Sequence, residues 1–148
     1  MSAAAVVPLE PRRALALWSD VSRWPTFVEG LARVGEPSAG WPERGSKVVW
    51  ESGPGGRGRV TERVVECSHA RFATEVFEQR LRGRQTAEFG PAGDGGARVA
   101  LTLDYELVRP GPLGLAIAVP FTRRALRDAL VRTLRRFAVE AEDEAGLR

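Results

Sequence analysis

The sequence predicts an α+β domain in which an antiparallel sheet of about seven strands curves around one long C-terminal helix, with two short helices after the first strand. Three observations carry this. From Phe121 to about Glu142, Leu126, Leu130, Leu134, Phe137 and Ala141 recur at three- and four-residue steps, which stacks them on one helical face. From Ala32 to Arg109, apolar and polar residues alternate with period two between glycine and proline clusters, the pattern of a meander. A lone amphipathic helix must bury its stripe against the sheet that the strands supply, and that arrangement predicts a cavity between them.

The elements follow in order. Ala3 to Leu9 reads as a strand, and Pro11 suits the first turn of a helix over Arg12 to Trp18. Asp20 and Ser22 are both competent N-caps for a second short helix that holds Pro25 and ends at Gly30. Strands are then expected over Ala32–Glu36, Ser46–Ser52, Arg57–Cys67, Phe72–Gln79, Leu81–Phe89 and Ala97–Arg109. In the last of these, Ala97, Val99, Leu101, Leu103, Tyr105 and Leu107 share the inner face. In the strand before it, Leu81, Gly83, Gln85, Ala87 and Phe89 do, and the small members of that set are expected to leave volume beneath the helix. The 148 residues make one domain, 1–148, with no room for a second core.

Composition narrows the function classes. With 43% hydrophobic and 28% charged residues the chain is neither disordered nor membrane-spanning. Its longest apolar run, Leu113 to Val119, lies between Pro112 and Pro120 and falls far short of the roughly 20 residues a spanning helix needs. Met1 to Val7 lacks a positive segment and is cut by Pro8, so a cytoplasmic location is expected. The net charge of +3 comes from arginine, with Lys47 the one lysine, a usage typical of GC-rich bacterial genomes. Because the arginines run through every segment, no nucleic-acid partner is expected. Cys67 is the only cysteine, which excludes an internal disulfide and reads as a small buried hydrophobe. His69, the sole histidine, falls at an expected hairpin tip, so neither a catalytic triad nor a metal site is expected, and no cofactor. The glycines of Gly53-Pro54-Gly55-Gly56-Arg57-Gly58 match a dinucleotide fingerprint in spacing alone, since a strand follows them where a helix is required.

The segment Leu17-Trp18-Ser19-Asp20-Val21-Ser22-Arg23-Trp24-Pro25, followed by Thr26-Phe27, and the hairpin Pro91 to Val99, set in this order of elements, resemble the START-like (SRPBCC) superfamily. The likeness is to its polyketide cyclase, dehydratase and lipid-transport branch. It covers nearly the whole chain and implies the helix-grip fold with a hydrophobic cavity between helix and sheet. Different members fill that cavity with lipids, quinones, hormones or polyketide intermediates. The resemblance supplies no universal catalytic residues.

The inward residues are therefore the candidate ligand contacts: Trp50, Gln85, Phe89, Leu101, Tyr105, Leu126 and Leu130, joined by Glu62 or Arg63. The strand over Arg57–Cys67 is ambiguous in face. Either Val60, Glu62, Val64 and Glu66 point inward or Thr61, Arg63, Val65 and Cys67 do. Whichever charge is buried becomes the candidate for acid–base or anchoring work, because a buried charge is costly unless paired or meeting a ligand. Trp50 is equally a packing residue, Tyr105 reads first as the donor of a structural hydrogen bond and second as a ligand contact, and Trp18 and Trp24 read as core before ligand contact. The expected partner is a small hydrophobic molecule, a polyketide, lipid or quinone, bound by a monomer or homodimer. The leading class is a polyketide cyclase or dehydratase; a noncatalytic carrier or sensor of lipid or quinone is the alternative, and a partner-binding protein with a filled pocket the third. In the terminal helix Arg123, Arg124 and Arg127 crowd the expected start and Glu140, Glu142, Asp143 and Glu144 the end, against the helix dipole. These charges read first as a solvated face; together with Leu113 to Val119, the arginines also suit transient contact with anionic lipid during ligand exchange.

Overall fold

In the computed structural model the backbone is described for residues 1–108 and 112–147, and the side chains for 1–108 and 123–147. The predicted α+β architecture is present. Strand β1 (Ser2–Val7) leads into helix α1 (Pro11–Ser19), a 3-10 turn at Val21–Arg23 and the one-turn helix α2 (Trp24–Phe27). The meander β2 (Leu31–Val34), β3 (Lys47–Ser52), β4 (Arg59–Cys67), β5 (Arg71–Phe77), β6 (Leu81–Pro91) and β7 (Ala97–Leu107) follows, and helix α3 (Pro112–Glu144) closes the chain. The seven strands form one antiparallel sheet in the order β1-β7-β6-β5-β4-β3-β2, the helix-grip arrangement. Arg109, the expected end of β7, and the apolar run Leu113–Val119 with its suggested lipid contact lie outside the described residues or side chains.

Local chemistry explains the boundaries. Pro11 opens α1, where its missing N–H would have no partner anyway. Asp20 caps the turn that follows, accepting from Ser22 N–H at 3.1 Å and from the Ser22 hydroxyl at 2.6 Å. Gly30, at φ +78°, takes the left-handed conformation that turns the chain into β2. Helix α3 starts earlier than expected, because the sequence reading set its start beyond Pro120, a residue that removes an intrahelical hydrogen bond. Arg123, Arg124 and Arg127 therefore stand about three turns into α3, beyond the reach of the N-terminal dipole, and the expected clash at that end does not arise.

The core lies between the sheet and α3 and is locked by aromatic rings. Trp18 stacks on Phe27 at 5.4 Å between centroids, and Phe137 of α3 meets Trp18 edge-on at 5.0 Å and Phe27 at 5.1 Å. Trp24 donates its indole N–H to the Trp18 carbonyl at 2.8 Å, so the buried ring carries no unpaired donor. The segment Trp18 to Phe27 is thus the plug between α3 and one end of the sheet.

The acidic end of α3 meets a cation from this plug. Arg23 donates to Glu140 at 2.6 Å and to Glu144 at 2.9 Å. The Arg23 guanidinium, aided by Thr26, holds the Glu140 carboxyl below the usual carboxylate range. A carboxyl lowered in the folded state contributes stability above its unfolded pKa, near 4.5, and loses it as pH falls through the folded value. Arg23→Ala is expected to cost about 1 kcal/mol or less at neutral pH, as befits a partly solvated pair. It should also flatten the acid limb of stability below pH 4.5, which urea titrations across that limb would measure.

The faces of β6 and β7 follow the predicted alternation, with Leu81, Ala87, Phe89, Ala97, Val99, Leu101 and Leu103 buried. Gly83 does not leave volume for a ligand, contrary to the reading of its size: a Cβ there would stand 2.4 Å from the Asp104 carbonyl oxygen and 2.9 Å from Tyr105 Cβ. Close approach of two backbones is what requires glycine at this position. Cys67 is exposed rather than buried, because it ends β4 just past a bulge between Val64 and Glu66 and next to the hairpin turn.

Candidate functional site

Strand alternation settles the ambiguous face of β4. Val60, Glu62 and Val64 point inward and are buried, while Arg63 points outward and is exposed. Glu62 is only 6% exposed, which makes it the one acidic residue among the buried side chains described. Trp50 of β3 pairs with Val60, so Glu62 is its diagonal neighbour on the same face. The Trp50 indole N–H donates to Glu62 Oε2 at 2.8 Å. From the other side, the Thr74 hydroxyl of β5 donates to Glu62 Oε1 at 2.9 Å. Burial pushes the Glu62 pKa up, against the opposing pull of these two hydrogen bonds and of the Arg57 charge.

Arg57, just before β4, completes the group. Its guanidinium carbon lies 5.5 Å from the centroid of the Trp50 ring, and its Nε–H donates to the Glu78 carboxylate. Trp50 is thus held by its edge to a buried carboxyl and by its face to a cation. Glu62, Trp50 and Arg57 all line one cavity of about 40 Å³ between the sheet, α2 and α3. Gln85 adds an amide to this wall, and Leu101, Leu103, Leu126, Leu130 and Phe27 supply apolar surface. At the α3 side, Glu29 donates its backbone N–H to the Thr133 hydroxyl at 3.0 Å, and its carboxylate lies 3.6 Å from Arg132 and 3.3 Å from Arg136.

Of the residues proposed from sequence, Trp50, Glu62, Gln85, Leu101, Leu126 and Leu130 meet at this cavity. Three others stand elsewhere. Arg63 is on the outer face because Glu62 takes the inner one. Phe89 is buried, four residues along β6 from Gln85, where it packs on Trp18 at 6.5 Å. Tyr105 is half-buried, pairs with Gly83 across the β6–β7 ladder, and is not among the cavity-lining residues. Sequence reasoning missed Arg57, Thr74 and Glu29, whereas Trp18 and Trp24, expected as core first and ligand contacts second, are buried and also border the cavity. A signal for Arg57 was present, since it is the one charged residue in the glycine-rich β3–β4 turn. Among the described residues no cluster of His, Cys, Asp and Glu is placed to hold a metal ion.

Residues 1–142 match the family described as polyketide cyclase / dehydrase and lipid transport. The chain belongs to this family. No curated protein matches the sequence. Among solved structures, an aromatase/cyclase from a Streptomyces species superposes with a TM-score of 0.83 at 14% identity, covering 98% of this chain and 94% of that one. A Thermus thermophilus protein gives 0.79 at 20% identity and a START superfamily protein from Mycobacterium smegmatis 0.76 at 13%, each covering 97% of both chains. At such identities these likenesses show the shared helix-grip fold of the polyketide cyclase and lipid-transport family, into which the Glu62–Trp50 pair is set.

Proposed function

We propose that this family member binds a small, largely apolar molecule with carbonyl or hydroxyl groups between the sheet and α3, and that it acts on it as a polyketide cyclase or dehydratase, with Glu62 moving the proton. The observation that carries this reading is the buried Glu62 carboxyl on the cavity wall. A carrier of an apolar ligand needs no ionisable group there, and burying one costs free energy that packing alone would not require. The chemistry fits an aldol closure. The Glu62 carboxylate takes a proton from the carbon between two carbonyls, and the resulting enolate forms a carbon–carbon bond to a second carbonyl along the chain. The alkoxide formed is protonated by the Glu62 carboxylic acid. Loss of water follows when the carboxylate takes another proton and the hydroxyl, protonated in turn, departs. Arg57 and Gln85 offer N–H donors to the developing oxyanion.

The cavity's volume bears on how the ligand enters. Some 40 Å³ holds a few waters at most, since one water needs about 10–15 Å³ by a comparable measure, and ligand pockets run to several hundred. Binding therefore requires the gap between the sheet and α3 to widen around Leu126 and Leu130. The apolar surface of that gap is what favours the second reading, a carrier of lipid or quinone. Native mass spectrometry of the purified protein separates the two. A co-purified aromatic or polycarbonyl compound is the expected result, and recovery of a fatty acid or quinone would overturn catalysis in favour of carriage.

A further inference from the structure

The stretch of α3 that walls the cavity with its leucines also carries a run of exposed arginines. Between residues 123 and 136 there are six arginines and a single acid, Asp128. Arg123, Arg124, Arg127, Arg132, Arg135 and Arg136 are all exposed, while Leu126, Leu130 and Leu134 face the interior. Among the described residues, the ion pairs of this stretch are those of Arg132 and Arg136 with Glu29. Arg123, Arg124, Arg127 and Arg135 are exposed and form no ion pair among the described residues, with Asp128, four residues after Arg124, the one acid near them. A stable fold gains nothing from four unpaired like charges within about four turns of one helix, since they repel one another.

We propose that this arginine face docks the protein on an anionic bilayer, placing the cavity wall against the membrane so that an apolar ligand exchanges between them. The proposal rests on the apolar-ligand reading above for its purpose, though not for the contact itself. Two features favour a bilayer over an acidic protein. The first turns of the same helix, Pro112 to Thr122, are eleven residues without a charge, whereas a purely electrostatic partner would ask for no such segment. A ligand suited to Leu101, Leu103, Leu126 and Leu130 partitions into membranes. The contact is peripheral, because among the described residues no helix is long and apolar enough to cross a membrane. Each arginine near an anionic surface strengthens binding about fivefold, so four give a weak, reversible, salt-sensitive attachment of the kind a shuttle requires.

The test is co-sedimentation of the ligand-free full chain with phosphatidylcholine vesicles, with and without phosphatidylglycerol, at low and high salt. Binding only to the phosphatidylglycerol vesicles, lost at high salt, is the expected result. Arg124→Glu with Arg127→Glu should weaken it at least a hundredfold, with circular dichroism unchanged; Arg135→Glu alone should weaken it about tenfold or more. Equal binding to both vesicle types, no binding at low salt, or unaltered binding by folded variants would each overturn the proposal. So would retention on soluble polyglutamate without vesicle binding, which would assign the face to an acidic protein. Because no ligand is present, failure here leaves the cavity reading standing, and failure of the mass-spectrometric test leaves docking standing.

Discussion

Glu62→Gln is expected to lower turnover of a linear β-polyketone by about 10²–10⁴-fold, the usual worth of a positioned proton-transfer group, while the fold survives. The amide is nearly the same size. Its oxygen still accepts from the Trp50 indole, and the Thr74 hydroxyl can turn to accept from its nitrogen. Glu62→Leu is the informative contrast. It leaves the indole N–H and the hydroxyl buried without partners, at a cost of about 1–3 kcal/mol each if neither finds water. The glutamine variant should also lose a pH dependence. In the folded chain burial raises the Glu62 pKa above its ordinary 4.5, so above that pH the folded state holds a proton that the unfolded state has released. Stability then falls as pH rises toward the folded pKa and is level beyond it. The effect is opposite in sign to that of Glu140 and occupies the other side of pH 4.5, so urea titrations can separate the two. A glutamine variant with wild-type turnover would remove Glu62 from the chemistry.

What the sequence made legible was set by periodicity. Period-two alternation located the strands of the meander to within a few residues, and the three–four spacing of Leu126, Leu130, Leu134 and Phe137 gave the buried face of α3. These patterns are local, and the hydrophobic effect acts on them residue by residue. The misplaced start of α3 had a local cause too, since Pro120 carries a penalty that the tertiary fold overrides. The site was harder, because its parts are joined across strands. Glu62 could be placed inside only by knowing which face β4 buries, and the bulge after Val64 blurs that pattern at its far end. Once Trp50 is taken as inward, however, a hairpin turn over Gly53 to Gly58 brings Glu62 diagonal to it, and a buried indole N–H asks for such an acceptor. Arg57 over the Trp50 ring, Thr74 behind Glu62 and Arg23 against the acidic end of α3 depend on three-dimensional proximity that no spacing encodes.

Phe137→Ala is expected to be among the most damaging truncations of the described residues, at about 3–5 kcal/mol out of the 5–15 kcal/mol that typically holds a domain together. Phe137 is fully buried and touches the rings of both Trp18 and Phe27, so its loss opens a void that neither ring can fill without leaving the other. It also frees the point at which, among the described residues, α3, α1 and α2 meet through aromatic contacts. Leu126→Ala, about three turns earlier on the same helix, makes the useful comparison. Leu126 is 7% exposed and already borders the cavity, so its truncation enlarges existing space and should fall near the low end of such changes, about 2 kcal/mol. Thermal and urea unfolding of the two variants would give the difference. A cost for Leu126→Ala equal to that of Phe137→Ala would mean that α3 is packed evenly along its length, and the helix would then have no looser segment by which a cavity of about 40 Å³ could open to admit a ligand.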